Sequence, residues 1–189
     1  MPILNLDLKS LPKTIGIFCS DLSGGIGINS GNEKDFFEGD FKIPWSGESF
    51  ASIDRAIFKE VTMGRTCILG RKTNESLYEF LPNGKLEGRN KIVLSNQIGI
   101  YAAEDGGYST SYCSTKKYAL DTAGDAKIAI IGGGSIYALF EDDVEAWIAT
   151  ILNADYNCNV KIDEKILNKV KTGQVIYENS NFKTLLWKK

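Results

Sequence analysis

The sequence predicts an α/β protein: a single three-layer domain with a mainly parallel central sheet, a C-terminal antiparallel hairpin and flanking helices. Three observations carry this prediction. Short, nearly continuous apolar runs recur along the 189 residues, as they do in strands buried on both faces. Segments with helical apolar spacing fall between them. The tail holds two more strand-like runs, split by the turn composition Asn179-Ser180-Asn181.

The elements follow in order. Thr14 to Cys19 reads as the first strand, and a long loop leads from it to a helix over Glu48 to Thr62. In that helix Phe50, Ile53, Ile57, Phe58 and Val61 recur on one apolar face. Thr66 to Leu69 is a second strand, ending at Gly70 before a short helix around Asn74 to Tyr78. Lys91 to Leu94 is a third. Ser114-Thr115 can cap a helix from Lys116 to Thr122 that Gly124 ends. Lys127 to Ile131 is a fourth strand, followed by three glycines and a helix over Ser135 to Phe140. Ala146 to Leu152 is a fifth. Gln174 to Glu178 and Phe182 to Trp187 form the closing hairpin. Two regions are irregular: residues 1–13, an extension ahead of the domain spanning 14–189, and the polar and aromatic loop 29–42, long enough to suggest a lid.

Composition narrows the function. An apolar fraction of 43% and a charged fraction of 24% describe a globular chain. A net charge of −2 and a pI near 5.3 supply no basic field for nucleic acid or an anionic membrane. No apolar run approaches a membrane span. The start, Met1-Pro2-Ile3-Leu4-Asn5-Leu6-Asp7, lacks the basic and apolar regions of a secretory leader. A cytoplasmic protein is the expectation. Cys19, Cys67, Cys113 and Cys158 are far apart and form no C-x-x-C pair, so they read as reduced core thiols. The chain has no histidine. That absence removes Ser-His-Asp hydrolases, Cys-His nucleophiles and nearly all catalytic zinc sites, and no metal is expected. Acid–base work falls to a carboxylate, a tyrosine, a lysine or water.

Four constellations carry chemistry. Asp54 lies four residues after Phe50 and four before Phe58, so a carboxylate shares the buried stripe of its helix. It is either a structural aspartate bonded to nearby amides or a pocket carboxylate whose pKa an apolar wall raises. Ile131-Gly132-Gly133-Gly134-Ser135-Ile136-Tyr137 joins a strand to a helix start. There a phosphate can approach the backbone, or the glycines serve only a tight turn. It matches neither a Walker A loop nor G-x-G-x-x-G. Gly70-Arg71-Lys72-Thr73 offers a second anion site, with solvated surface charge as its plain alternative. Two such sites on neighbouring strand ends favour a dinucleotide bridging them. Arg89, ahead of the third strand, is suited to a carboxylate.

In this order, the pieces resemble dihydrofolate reductases. The matching strings are Gly25-Ile26-Gly27-Ile28-Asn29, Ile43-Pro44-Trp45, Asp54 with Phe58-Lys59 and Thr62, and Ile68-Leu69-Gly70-Arg71-Lys72-Thr73 with Glu75-Ser76-Leu77. They continue through Gly88-Arg89-Asn90-Lys91-Ile92-Val93-Leu94-Ser95, the glycine turn to Tyr137, and Thr150. The resemblance spans Thr14 to the C-terminus.

It implies a dihydrofolate reductase-like fold and NADPH-dependent reduction of 7,8-dihydrofolate to tetrahydrofolate, within one-carbon metabolism. Hydride would pass from NADPH to C6 and a water would protonate N5. By the same resemblance Asp54 would anchor the pterin, Thr150 would support Asp54, Trp45 would order a water and Tyr137 would lie near the nicotinamide. Ile17, Cys19, Phe58, Leu77, Leu86 and Ile131 would wall the substrate, and Arg89 would take its glutamate tail. The cofactor would meet Ile26, Gly27, Ile28, Gly70, Arg71, Lys72, Thr73, Ser95, Asn96, Gln97, Gly133, Gly134, Ser135, Ile136 and Tyr137. Arg71 and Lys72 favour NADPH over NADH. Antifolate-type small molecules would bind the same site, and a monomer is expected.

The sequence also departs from the family pattern. The lid carries an insertion at about 30–42, and four extra residues separate Trp45 from Asp54. Glu48 is therefore a rival carboxylate, but only Asp54 keeps the offset to Phe58, Lys59 and Thr62. Arg55 replaces an apolar residue, and Glu87 stands where proline is common. The rival readings are a riboflavin-pathway-type reductase of the same fold and a non-catalytic nucleotide-binding protein.

Overall fold

The structure, a computed structural model, describes residues 4, 6–29, 41–81, 84–96, 103–105 and 108–189. Most of the lid insertion, and Gln97, lie outside them. Among the described residues the main sheet has nine strands. Its centre is parallel: β1 (Thr14–Ser20) lies between β9 (Ala146–Leu152) and β8 (Ile128–Gly132), and the series continues through β4 (Thr66–Gly70), β5 (Lys91–Leu94) and β7 (Tyr108–Cys113). Antiparallel strands close both edges, with the hairpin β11 (Gln174–Glu178) and β12 (Phe182–Lys188) beside β9 and β6 (Ala103–Asp105) beside β7. The predicted architecture is observed.

A smaller sheet is added by segments the sequence left irregular. β2 (Gly25–Asn29) pairs with β3 (Phe41–Lys42) and with β10 (Val160–Lys161). A helix that the sequence reading passed over, α5 (Glu164–Lys171), buries Ile166, Leu167 and Val170.

Side-chain alternation divides the core into two layers. On one face Ile15 and Ile17 of β1, Leu69 of β4, Ala129 and Ile131 of β8, and Ile148 and Leu152 of β9 form one cluster. Helices α1 (Ala51–Thr62) and α2 (Arg71–Phe80) lie over that face, supplying Ile57, Val61 and the half-buried Phe58 and Leu77. On the other face Phe18, Ile68, Ile130, Trp147 and Ile151 meet α3 (Lys116–Ala123), α4 (Gly134–Phe140) and α5. Leu4 and Leu11 of the N-terminal extension are buried in the first cluster.

Helix α1 begins at Ala51 and not at Glu48. Pro44 to Phe50 instead form successive turns, with Ser46 N–H donating to Ile43 O, Glu48 N–H to Trp45 O and Ala51 N–H to Glu48 O. The residues between Trp45 and Asp54 are taken up in these turns. Helix α2 is longer than expected, because Gly70 is extended and lets the helix start directly at Arg71. No helix among the described residues is long and apolar enough to cross a membrane.

Candidate active site

Strand register brings three polar side chains to one level on the α1 face. Cys19 pairs with Thr150 across β1 and β9, and Thr150 pairs with Thr184 across β9 and β12. The two threonine hydroxyls lie 3.3 Å apart, both buried. Asp54 lies in the first turn of α1, within electrostatic reach of this row. Burial pushes its pKa above its usual value of 3.8, while the Thr150 hydroxyl, the Cys19 thiol and the charge of Arg55 oppose the rise. No salt bridge engages Asp54 among the described residues. The rival Glu48 is exposed.

Trp45, at 3% exposure, reaches the same place from the turns before α1. Its ring stands edge-on to Tyr156 at 5.4 Å. Of the residues expected to wall a substrate, Ile17, Leu86 and Ile131 are buried and Phe58 and Leu77 half-buried, all in one cluster. Arg89 closes the far side. Its guanidinium lies 5.8 Å from the Phe58 ring centroid and donates to Thr62 Oγ1 at 2.9 Å and to Glu87 O at 3.1 Å. It forms no salt bridge among the described residues. The arrangement suits a flat polar ring over Asp54 joined to an anionic tail at Arg89.

A cleft of about 830 Å³ opens at the C-terminal ends of the parallel strands. Gly70 is level with Leu94, and Leu94 with Cys113, so the residues that follow these strand ends, Arg71, Ser95 and Ser114, lie along one rim. Of the expected cofactor residues, Ile26, Gly70, Arg71, Lys72, Thr73, Ser95, Asn96, Gly133, Gly134, Ser135 and Ile136 line it. Gly27 and Ile28 do not. Gly27 lies beneath the Phe41 ring, where a Cβ would stand 2.3 Å from that ring, and Ile28 packs on the α1 side of the core. Tyr137 is also off the wall, 5% exposed, its hydroxyl donating to Ile17 O at 2.8 Å.

The cleft residues fit a phosphate-bearing ligand. A Cβ on Gly133 would come within 3.2 Å of Thr73 Oγ1, so the glycine lets β8 close on the start of α2. Helix α2 has no side-chain cap on its first amides. Lysines 116 and 161 also line the cleft, with Thr115 and Ser114. Sequence reading missed them because they arrive from distant segments. Ser114 and Thr115, read from the sequence only as a cap, are their legible neighbours.

Comparison with known proteins agrees with this geometry. A family model described as dihydrofolate reductase matches residues 38–183. A dihydrofolate reductase of Lactococcus lactis is 30% identical over 149 residues, covering 75% of this chain and 73% of that protein. One of Mycobacterium tuberculosis is 34% identical over 97 residues, covering 51% and 52%. One of Neisseria meningitidis is 42% identical over 84 residues, covering 44% and 47%, so the chain spans about half of these last two relatives.

Proposed function

The chain belongs to the dihydrofolate reductase family of NADPH-dependent oxidoreductases, and on that premise we propose that it reduces 7,8-dihydrofolate to 5,6,7,8-tetrahydrofolate with Asp54 as the pterin anchor. One observation carries the reading: a half-buried carboxylate, engaged by no salt bridge among the described residues, stands on an apolar face where burial raises its pKa and the Thr150 hydroxyl and Arg55 oppose the rise. An ionised carboxylate there accepts two N–H bonds from an amino-pteridine edge and favours positive charge on the ring.

The remaining side chains have defined tasks. Phe58 and Leu77 hold the ring from the helix side, with Ile17 and Ile131 beneath it. Arg89 takes the α-carboxylate of the glutamate tail. Thr150, backed by Thr184, fixes the Asp54 rotamer. The Tyr137 hydroxyl is committed to Ile17 O, and burial pushes its pKa far up, so it does not supply the proton. The proton for N5 comes from water admitted beside Trp45, and Asp54 raises the basicity of N5.

The cofactor's residues are those lining the cleft. Arg71, Lys72, Ser95 and Asn96 would meet the adenosine phosphate, and Thr73 with Gly133, Gly134, Ser135 and Ile136 the pyrophosphate. When bound, NADPH supplies the hydride to C6. Antifolates carrying a 2,4-diaminopyrimidine would meet Asp54 in the same way.

Following NADPH oxidation with dihydrofolate tests the reading. Turnover in the wild type and a loss of at least about 100-fold in Asp54→Asn are expected. Full activity in that variant, or no turnover in the wild type, refutes it.

A further inference from the structure

The glycine turn proposed to receive a diphosphate carries no charge of its own: Gly132-Gly133-Gly134-Ser135-Ile136-Tyr137 is neutral throughout. The cations that line the cleft come from other segments. Arg71 and Lys72 stand at the start of α2. Nearer the turn are Lys116 and Lys161. Lys116 is engaged by Asp143 at 2.7 Å and by Leu139 O at 3.2 Å. Lys161 is exposed and forms no salt bridge among the described residues. Its backbone runs against the turn, where a Cβ on Gly134 would come within 3.2 Å of Lys161 O. Its ammonium donates to a neutral hydroxyl, Ser23 Oγ, at 3.0 Å.

That hydroxyl is itself held. Asp21 is fully buried in the connection from β1 to β2. Its Oδ1 accepts from Ser23 Oγ at 2.9 Å, from Ser23 N–H at 3.0 Å and from Gly25 N–H at 2.6 Å, and its Oδ2 accepts from Tyr156 N–H at 3.3 Å. Burial pushes the Asp21 pKa up, but the donors of Gly25, Ser23 and Tyr156 outweigh it and hold the carboxyl below the usual 3.8. An ionised carboxylate only accepts, so Ser23 gives it the hydroxyl proton and keeps its lone pairs for Lys161. Gly25 makes room for this, since a Cβ there would stand 2.6 Å from Asp21 Oδ2. Strand β10 is fixed to the same connection, with Lys161 level with Gly25 and Ile162 N–H donating to Gly24 O at 2.9 Å.

We propose that Lys161 is a further cofactor-binding residue, which meets the charge of the diphosphate at the glycine turn, and that Ser23 and Asp21 are the positioning residues that keep its ammonium at the cleft. An ammonium has three donors, so Lys161 can hold Ser23 and a phosphate oxygen together. The diphosphate is then served from β10, which leaves the cations of α2 for the phosphate on the adenosine ribose. This rests on the reading of the cleft as a dinucleotide site given above. A lysine that merely decorated the edge of β10 would be replaceable with no effect on nucleotide affinity.

The test titrates the full chain with NADPH and with NADH, which share the diphosphate and differ in the phosphate on the adenosine ribose. Lys161→Met is expected to weaken binding of both by the same factor, about tenfold, and to reduce the salt dependence of both. Lys161→Arg keeps the charge and should return most of the affinity. Ser23→Ala is expected to weaken both about threefold, and that effect should vanish in the Lys161→Met background. Binding of a 2,4-diaminopyrimidine to the nucleotide-free protein should be the same in Lys161→Met as in the wild type, which separates a lost contact from a damaged fold. Unchanged nucleotide affinity in Lys161→Met, a loss confined to NADPH, or a parallel loss of diaminopyrimidine binding overturns the proposal. So does a Ser23→Ala effect that persists without the lysine. A wild type that binds NADPH through Lys161 but does not turn over dihydrofolate defeats the proposed function and leaves the role of Lys161 standing. One that binds neither nucleotide defeats the cleft assignment, and the role of Lys161 with it.

Discussion

Arg89 donates to Thr62 Oγ1 at 2.9 Å, and Thr62 gives its own proton to Phe58 O one turn back in α1, at 2.7 Å. The guanidinium is thereby tied to the helix that carries Asp54, and the spacing between ring anchor and tail anchor becomes a property of one rigid element. Arg89 is 7% exposed and forms no salt bridge among the described residues, so burial lowers its pKa without any need for it to lose its charge. Arg89→Leu is expected to raise KM for dihydrofolate about 100-fold with a much smaller change in kcat, because the contact is equal in ground and transition states. A pteridine without the glutamate tail should show no such change. Steady-state kinetics with both substrates decides it, and equal losses for the two would remove Arg89 from the tail site.

The central strands were legible because both faces of β1, β4, β5, β8 and β9 are covered, which demands unbroken apolar runs such as Ile128 to Ile131. Asp54 was legible because the period of α1 fixes which way it points. The edges were not. β2 carries Gly25 and Gly27, which weaken any strand signal, and β7 is Tyr-Ser-Thr-Ser-Tyr-Cys near the rim of the sheet, half-exposed and polar. The α5 signal was present, in the cap Asp163 and the spacing of Ile166, Leu167 and Val170, and was passed over. Lys116 and Lys161 required tertiary structure, since no local pattern shows that α3 and β10 border one cleft.

Arg71 offers a test of cofactor choice. It opens α2 on the cleft rim and is steadied by Glu75 at 2.6 Å one turn on. A phosphate on the adenosine ribose would gain a charge-assisted bond there, and a cofactor lacking it would not. Arg71→Ala is expected to raise KM for NADPH about tenfold while leaving that for NADH unchanged. The wild-type preference should also weaken as salt is added. Parallel losses for the two cofactors would assign the phosphate elsewhere.

Glu141 gives the fold an acid-sensitive joint. It follows α4 and is paired with Lys165 at 2.7 Å and with Lys169, both on α5. These hydrogen bonds hold its pKa near 2 against an ordinary 4.5. The folded state therefore binds fewer protons than the unfolded chain between those values. Its stabilisation is complete above 4.5 and is lost as pH falls towards about 2. Because Lys165 is largely exposed, solvent screens part of the effect. Glu141→Gln is expected to lower Tm by about 2–4 °C near neutral pH, with the difference shrinking as pH falls through that window. A difference independent of pH would mean that packing, and not charge, joins α4 to α5.

Asp54 titrates in the opposite sense, which sets activity against stability at one residue. Its folded pKa lies above the usual 3.8, with burial as the largest cause. Between the unfolded and folded values the native state holds the extra proton, so stability falls as pH rises through that window and stays lower above it. The ionised form that the pterin needs is the form the fold tolerates least. Asp54→Asn removes the charge and keeps the shape and one acceptor oxygen. Its Tm is therefore expected to exceed that of the wild type near neutral pH, at about 2–4 °C for each kcal/mol recovered. The two proteins should converge below about pH 3.8, where the wild-type carboxyl is neutral in both states. Thermal denaturation of both across this range, with activity assayed on the same samples, provides the check. A variant that is both inactive and less stable at neutral pH would show that the ionised carboxylate is a structural group whose hydrogen bonds outweigh its burial.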